Sequence, residues 1–416
     1  MNRLKETYQQ FSPKFWILVM SAFIDRLGGT IVFPFFSLYI TQKFNVGMAD
    51  AGLLLGMFSL SGFVGSMVGG ALADRLGRKV MVLFGLVFSA VSSIAFGLIN
   101  SYAVFFVLAA FVGFLSDIAG PAHQAMVADL VPEPKRSEGF GIMRVASNLS
   151  WIIGPTIGGL LAGYSYMLLF VLDAITSLIV AVIVFRLIPE TKPEAAPGQE
   201  EESFVQTLKG YFVVAKDSLF VAFVIAGIFT IFGYGQIYNT LSVFLRNAHG
   251  LLERGYGFLM SANAALVVVA QFWVTRRLRS RPPMLYLAVG AVFYVVGLTM
   301  YGFVSTYWLF MAAMLLITIG EMIVIPLSQA LVAQFAPEHM RGRYMAFFGI
   351  SWILPSVIGP WASGLILDGP TPHLLWFVSG ISCAVGVIAY LGLHIRAGDQ
   401  FKAMEAADAE SAAAAS

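Results

Sequence analysis

Residues 70–79 read GALADRLGRK, a short run of charge between two long apolar segments. Asp74, Arg75, Arg78 and Lys79 surround one turn glycine, Gly77. The apolar segment before them carries Gly62, Gly65, Gly69 and Gly70, residues small enough for close helix contact. Placing these charges in hydrocarbon would cost several kcal/mol. The stretch is therefore a tight connection at one membrane face, and the segments on either side are membrane spans.

The rest of the chain agrees. Its 416 residues are 58% hydrophobic and only 12% charged, with a mean hydropathy of +0.82. That is too little charge to cover the surface of a soluble protein of this size. The single cysteine, Cys383, excludes an internal disulfide and a cysteine-based metal cluster. His123, His249, His339, His373 and His394 have no neighbours at metal-ligand spacing. The sequence gives no reason to expect a cofactor, a metal or a nucleic-acid partner. The first apolar run, from about Phe15 to Ile40, is longer than a signal-peptide core and lacks a small-residue cleavage site, so it reads as a retained helix.

Twelve segments are long enough to span a bilayer: 15–40, 51–73, 79–99, 103–128, 139–163, 166–188, 217–246, 255–275, 284–303, 307–335, 342–367 and 373–395. The longest interruption, 189–216, holds Pro189, Pro193, Pro197 and Glu200 to Glu202. It ends in SFVQTLKGYFVVAKD, an amphipathic piece expected along the membrane surface. The expected fold class is an all-α membrane protein with twelve transmembrane helices in two pseudo-symmetric six-helix bundles, 1–188 and 217–396, joined by the 189–216 linker. The alanine-rich, acidic tail 397–416 is expected to be disordered.

Loop charge sets orientation. With both termini in the cytoplasm, Arg75, Arg78, Lys79, Lys135, Arg136, Arg276, Arg277, Arg279, Arg281, Arg341, Arg343 and Arg396 all fall inside. The opposite face keeps Lys43, Arg246 and Arg254. The two blocks also repeat. GPAHQAMVADLVPEPKR (120–136) faces IPLSQALVAQFAPEHMR (325–341), so that Pro121 matches Pro326, Gln124 matches Gln329 and Arg136 matches Arg341. The same spacing puts Gly154-Pro155 on Gly359-Pro360. Duplicated halves are a transporter architecture, with the site at their interface.

GALADRLGRK resembles the loop between helices 2 and 3 of the major facilitator superfamily. Gly154-Pro155-Thr156-Ile157-Gly158-Gly159 resembles the helix 5 motif of its drug:proton antiporter branch. The resemblance covers span count, central loop, duplication and both motifs. It implies a proton-coupled exporter in a cell (inner) membrane, a small-molecule substrate and protons as partners alongside the lipid bilayer, and a monomer. It also implies a cytoplasmic gate, built from Gly70, Asp74, Arg75, Gly77, Arg78 and Asp129. In the family the aspartate faces the N-terminus of helix 11, near Arg341 here, and the arginine pairs with an acid at the end of helix 4, Asp129 here. The plain alternative is loop charge that only sets topology. Gly154, Pro155, Gly158 and Gly159 would line the contact between halves, or serve ordinary glycine packing. One departure stands out. The branch commonly carries an arginine four residues before a helix 4 glycine; Gly113 fits the glycine, but Ala109 holds the arginine position. Arg26 is the candidate to supply that charge.

Within the spans, Asp25 and Arg26 of the first, Asp117 of the fourth and Glu321 of the tenth are the charges that demand a reason. Asp25, Asp117 and Glu321 are proton-coupling candidates, or, for Glu321, an anchor for a cationic substrate. Arg26 is a charge partner, most naturally for Asp117, since adjacent helical residues point about 100° apart. His123 reads as a satisfied polar residue or a relay. Arg144 reads as structural, and Asp173 as a cap near the start of its helix. Tyr234, Gln236, Tyr238 and Asn239 form a polar-aromatic cluster expected to line a substrate cavity. The leading expectation is export of small amphipathic compounds by alternating access. A single-substrate carrier for a sugar, metabolite or lipid-like molecule is the alternative. A membrane-embedded enzyme fits less well, because no nucleophile motif or phosphate loop stands outside the spans.

Overall fold

The computed structural model describes residues 10–116, 118–192, 212–278, 281–337 and 340–414, except the side chains of 70, 71, 74, 134, 137 and 397–414. It is all-helical; among the described residues there is no strand. Among the described residues twelve helices are long and apolar enough to cross a membrane: α1 (Pro13–Phe44), α2 (Met48–Gly69), α3 (Arg78–Leu98), α4 (Tyr102–Leu130), α5 (Glu138–Ala162), α6 (Tyr166–Leu187), α7 (Ser218–Asn239), α8 (Glu253–Leu278), α9 (Pro283–Met300), α10 (Tyr307–Phe335), α11 (Arg341–Leu367) and α12 (Leu374–Arg396). In hydrocarbon a helix satisfies its own backbone, which is why apolar runs of this length take no other form. Val107, Phe185, Val269 and Ile395 stand exposed, as lipid-facing residues do.

Local breaks follow from particular residues. Pro34 places a 3₁₀ turn, Phe33–Phe35, inside α1. In α11 the helix is interrupted at Gly349, between Arg341–Phe348 and Ile350–Leu367. The α2 helix continues to Leu76, and α3 starts at Arg78. Gly77 between them has φ of 100°, which an L side chain rarely adopts. Only the end of the expected surface helix, from Phe212, is among the described residues. The tail differs from the expected disorder: the helix that begins at Leu374 has a helical backbone to Ala414. Alanine and glutamate, which dominate that stretch, are good helix formers.

The chain forms two compact units. The first is Met1–Ala196 with Tyr238–Val268 and Pro360–Asp368; the second is Pro197–Ile237 with Val269–Gly359 and Gly369–Ser416. The end of α7, most of α8 and part of α11 thus fall in the first unit. In the first unit α1 packs against α5 and α6, α3 against α6, and α2 against α4. Its apolar centre joins Phe15, Leu18, Met81, Leu86, Met126 and Val184. In the second, α9 packs against α10 and α12. There Phe223 stacks on Phe348 with centroids 5.7 Å apart.

Candidate functional site

The loop that decided the fold is tied down on two sides. Arg78 forms a salt bridge with Asp129, at the end of α4. Their side chains are only 13% and 21% exposed, so the pair is partly shielded from solvent. Glu190, just past α6, was not singled out from sequence, yet it anchors the loop. Its carboxylate accepts from the backbone amides of Arg78 (2.9 Å), Lys79 (3.1 Å), Thr191 (2.9 Å) and Lys192 (3.0 Å). The first amides of α3 have no intrahelical acceptor, and a carboxylate suits that helix end. Lys79 Nζ donates to the carbonyl of Phe185 at 2.8 Å, and Lys192 Nζ to that of Arg75 at 3.1 Å. A Cβ on Gly77 would lie 2.6 Å from the Glu190 carboxylate. Desolvation alone would raise the pKa of Glu190, but the backbone amides of Lys192, Arg78, Thr191 and Lys79 outweigh it and hold the group below its ordinary 4.5. The partners of Glu190 are backbone amides, which leave no trace in residue identity. The side chains of Gly70 and Asp74 lie outside the described residues, and that of Arg75 is exposed.

Between α1, α3 and α6 lies a cluster of carboxylates and hydroxyls. Ser177 Oγ is 3.4 Å from Asp25 Oδ1 and 3.4 Å from Ser89 Oγ. One turn away on α6, Asp173 accepts a hydrogen bond from Ser93 and is 7% exposed. Asp173 thus corrects the expectation of a cap. The cap of α6 is Ser165, whose hydroxyl accepts from the Met167 amide, and Asp173 is buried two turns inside. Gly28 gives it room: a Cβ there would lie 2.6 Å from Asp173 Oδ1. Arg26 follows Asp25 on α1. Arg26 itself is exposed, while Asp25 and His123 are half-buried. Asp117, and with it the expected bridge to Arg26, lies outside the described residues.

In the second unit Glu321 is half-buried on α10. The residues of the α7 cluster belong to both units. Tyr234 is 4% exposed and stacks on Tyr294 at 5.1 Å. Gln236 is 1% exposed, and its amide donates to the carbonyl of Phe232 at 2.8 Å. Both are packed inside their unit. Half-buried Tyr238 belongs to the first unit, with its ring 5.5 Å from that of Trp151, and Asn239 beside it is half-buried. A 22-residue helix this apolar all round gives no periodicity to say which polar residue faces inward.

Glycines line three crossings in the first unit, of α5 on α1, α5 on α8 and α2 on α11. On α5, Gly154 packs against Thr30 and Gly158 against Ile31 and Phe35 of α1. Gly159 meets the backbone of α8, where its Cβ would be 2.8 Å from the Glu253 carbonyl, and Gly257 returns the contact against Pro155. Thr156 and Ser261 hydroxyls hydrogen-bond at 2.6 Å beside them. Pro155 sits inside α5 without breaking it. On α2, Gly52 faces Pro360 and Trp361 of α11, and Asp368 accepts from the amides of Met48 (2.7 Å) and Ala49 (2.8 Å) at the start of α2. Glu253 joins the same end, accepting from Gln42 at 3.2 Å and Tyr166 at 3.3 Å.

A family model described as the Major Facilitator Superfamily matches residues 18–360 and 286–413. The chain is a member of the Major Facilitator Superfamily. It is therefore a transporter with twelve membrane-spanning helices. Among the relatives of this superfamily member is a "Na(+), Li(+), K(+)/H(+) antiporter" of Planococcus maritimus, 28% identical over 79% of this chain and 84% of the relative. Another is the "Quinolone resistance protein NorA" of Staphylococcus aureus, 23% identical over 93% of this chain and 98% of the relative. A solved POT family transporter in complex with 5-aminolevulinic acid has the same fold, with a TM-score of 0.77 at 14% identity, covering 92% of this chain and 95% of that one.

Proposed function

We propose that this transporter exports small amphipathic compounds in exchange for protons by alternating access, from a cell membrane in which its arginine-rich loops and both termini are cytoplasmic. The observation that carries the reading is the Asp25–Asp173 cluster, two carboxylates placed inside spans and dressed by Ser93 and Ser177. An ionised carboxylate there is costly, so a proton binds when water is excluded and leaves when water returns. That ties proton exchange to the conformation of the unit. The glycine-lined crossings of α5 on α8 and α2 on α11 supply closure on the outer side, since bare backbone allows helices to seal against each other. Arg78–Asp129 and Glu190 hold the inner loop. The relative from Staphylococcus aureus, named for quinolone resistance, supports a drug-like substrate. The reading involves no covalent chemistry. Glu321 remains a candidate for a second proton site or a cation anchor in the other unit.

A second reading is favoured by the same cluster. Asp25 and Asp173, with the hydroxyls of Ser89, Ser93 and Ser177, also have the hard oxygen chemistry that suits an alkali cation, and the Planococcus maritimus relative is named for that exchange. Proteoliposomes separate the two. Export of a lipophilic cationic dye that stops when the proton gradient is collapsed supports the first. Sodium or potassium flux driven by the gradient, without dye export, replaces it with the second. A sugar flux without either would sink both.

A further inference from the structure

We propose that the cavity between the end of α8, the start of α9 and α10 is a binding site for the headgroup of an anionic phospholipid. The cavity, about 560 Å³, lies wholly within the second unit. Arg276 and Arg281 stand at its rim, and Phe272, Leu327 and Leu331 give it apolar walls. The duplication explains why it is there. At the spacing that puts Pro326 on Pro121, Pro283 takes the position of Arg78 and Gln334 that of Asp129. Both Pro283 and Gln334 line the cavity. The space is thus the place corresponding to the partly shielded Arg78–Asp129 salt bridge of the first half, with both charged partners replaced.

The charge is unbalanced in the same way. The segment TRRLRSRPP keeps its arginines and lacks the aspartate of GALADRLGRK. Among the described residues no carboxylate reaches Arg276 or Arg281 within salt-bridge distance. An anion is what this arrangement lacks. The apolar walls and the exposed flank of Phe272 (78%) and Trp273 (63%) point to an anion with a hydrocarbon tail. Arg277, stacked over Trp273 at 5.1 Å, extends the basic rim toward the lipid-facing surface. Basic pockets between spans, at the cytoplasmic leaflet where anionic lipids lie, bind such headgroups. The leaflet assignment rests on the orientation proposed above; the test below does not.

The test uses the purified full-length chain, exchanged in detergent with an equal mixture of phosphatidylglycerol and phosphatidylcholine and read by native mass spectrometry of retained lipid. The chain is expected to retain phosphatidylglycerol preferentially. Arg276→Gln with Arg281→Gln should remove the preference, each arginine near an anionic surface being worth roughly fivefold. Gln334→Asp, which restores the missing carboxylate, should weaken it with both arginines present. Ala330→Phe, which fills the cavity without changing charge, should do the same. Equal retention of the two lipids, or a preference untouched by these variants, overturns the proposal. So does complete displacement by inorganic phosphate at the same headgroup concentration, which would make it a small-anion site. A several-fold gain in retention on deleting 397–416 would make the acidic tail, with Glu405, Asp408 and Glu410, the occupant instead. A transporter that fails to export dye but keeps the lipid preference would separate failure of the functional reading from failure of this one.

Discussion

Alanine at Gly52 is the smallest change that should alter the working cycle. A methyl group there would lie 2.6 Å from the backbone nitrogen of Trp361 and closer still to the Pro360 carbonyl. Those neighbours are backbone, so no side chain can rotate away, and α2 and α11 must separate. Overpacking of this kind costs about 1–3 kcal/mol, which lowers the population of the closed arrangement about 5- to 150-fold. The fold itself should survive, because a conformer with α2 and α11 apart has room for the methyl. The reporters are already in place. The amides of Met48 and Ala49 lie in the first turn of α2, where no intrahelical acceptor exists, and both donate to Asp368. When the helices part, these amides meet water. Hydrogen–deuterium exchange of the 44–54 peptide should therefore accelerate by up to the same factor. Gly29→Ala is the control, since nothing lies within 4 Å of a Cβ there. Unchanged exchange in Gly52→Ala, or equal acceleration in Gly29→Ala, would refute the closure argument.

Glu190→Ala should destabilise the inner corner by about 1 kcal/mol, the usual worth of a helix cap, and its mark should be faster exchange at the amides of Arg78 and Lys79. Because Glu190 is held below its ordinary 4.5, its contribution is full above that pH and fades as pH falls through the lowered value. The difference in melting temperature between the native chain and Glu190→Gln should accordingly shrink in acid. Breaking Arg78–Asp129 by Asp129→Asn should cost about 1.5–3 kcal/mol, and exchanging the two charges should recover much of it in a thermal melt. Asp173→Asn keeps an acceptor for Ser93 but removes the charge, so the chain should stay folded while dye export loses its dependence on the proton gradient.

What could be read from the sequence were features that repeat or that cost too much to be accidental. Apolar length gave the twelve spans, while the pairing of Arg78 with Asp129 followed from the resemblance to the superfamily's loop between helices 2 and 3. Other features were hidden by the nature of their partners. Glu190 binds backbone amides, which every residue supplies, so its position after Pro189 looked like loop composition. Asp173 lies only a few residues from the start of α6, which suggests a cap by counting; the glycine that makes room for it, Gly28, is on another helix. Tyr234 and Gln236 looked like cavity residues because they are polar in an apolar span. In the structure the ring of Tyr234 stacks on Tyr294, and the amide of Gln236 donates to the carbonyl of Phe232. The packing of α8 and part of α11 with the first half depends on glycines meeting across the fold, which spacing along the chain does not encode.

The central claim is that the cluster of Asp25 and Asp173 holds the proton exchanged for substrate. The direct measurement is proton release by the purified chain in weakly buffered solution when a lipophilic cation is added, followed with a pH-indicator dye. The native chain should release protons as the cation binds, and both Asp25→Asn and Asp173→Asn should release markedly fewer while remaining folded. Equal release from the native chain and both variants would contradict the account and move the proton elsewhere, with Glu321 next to be tested.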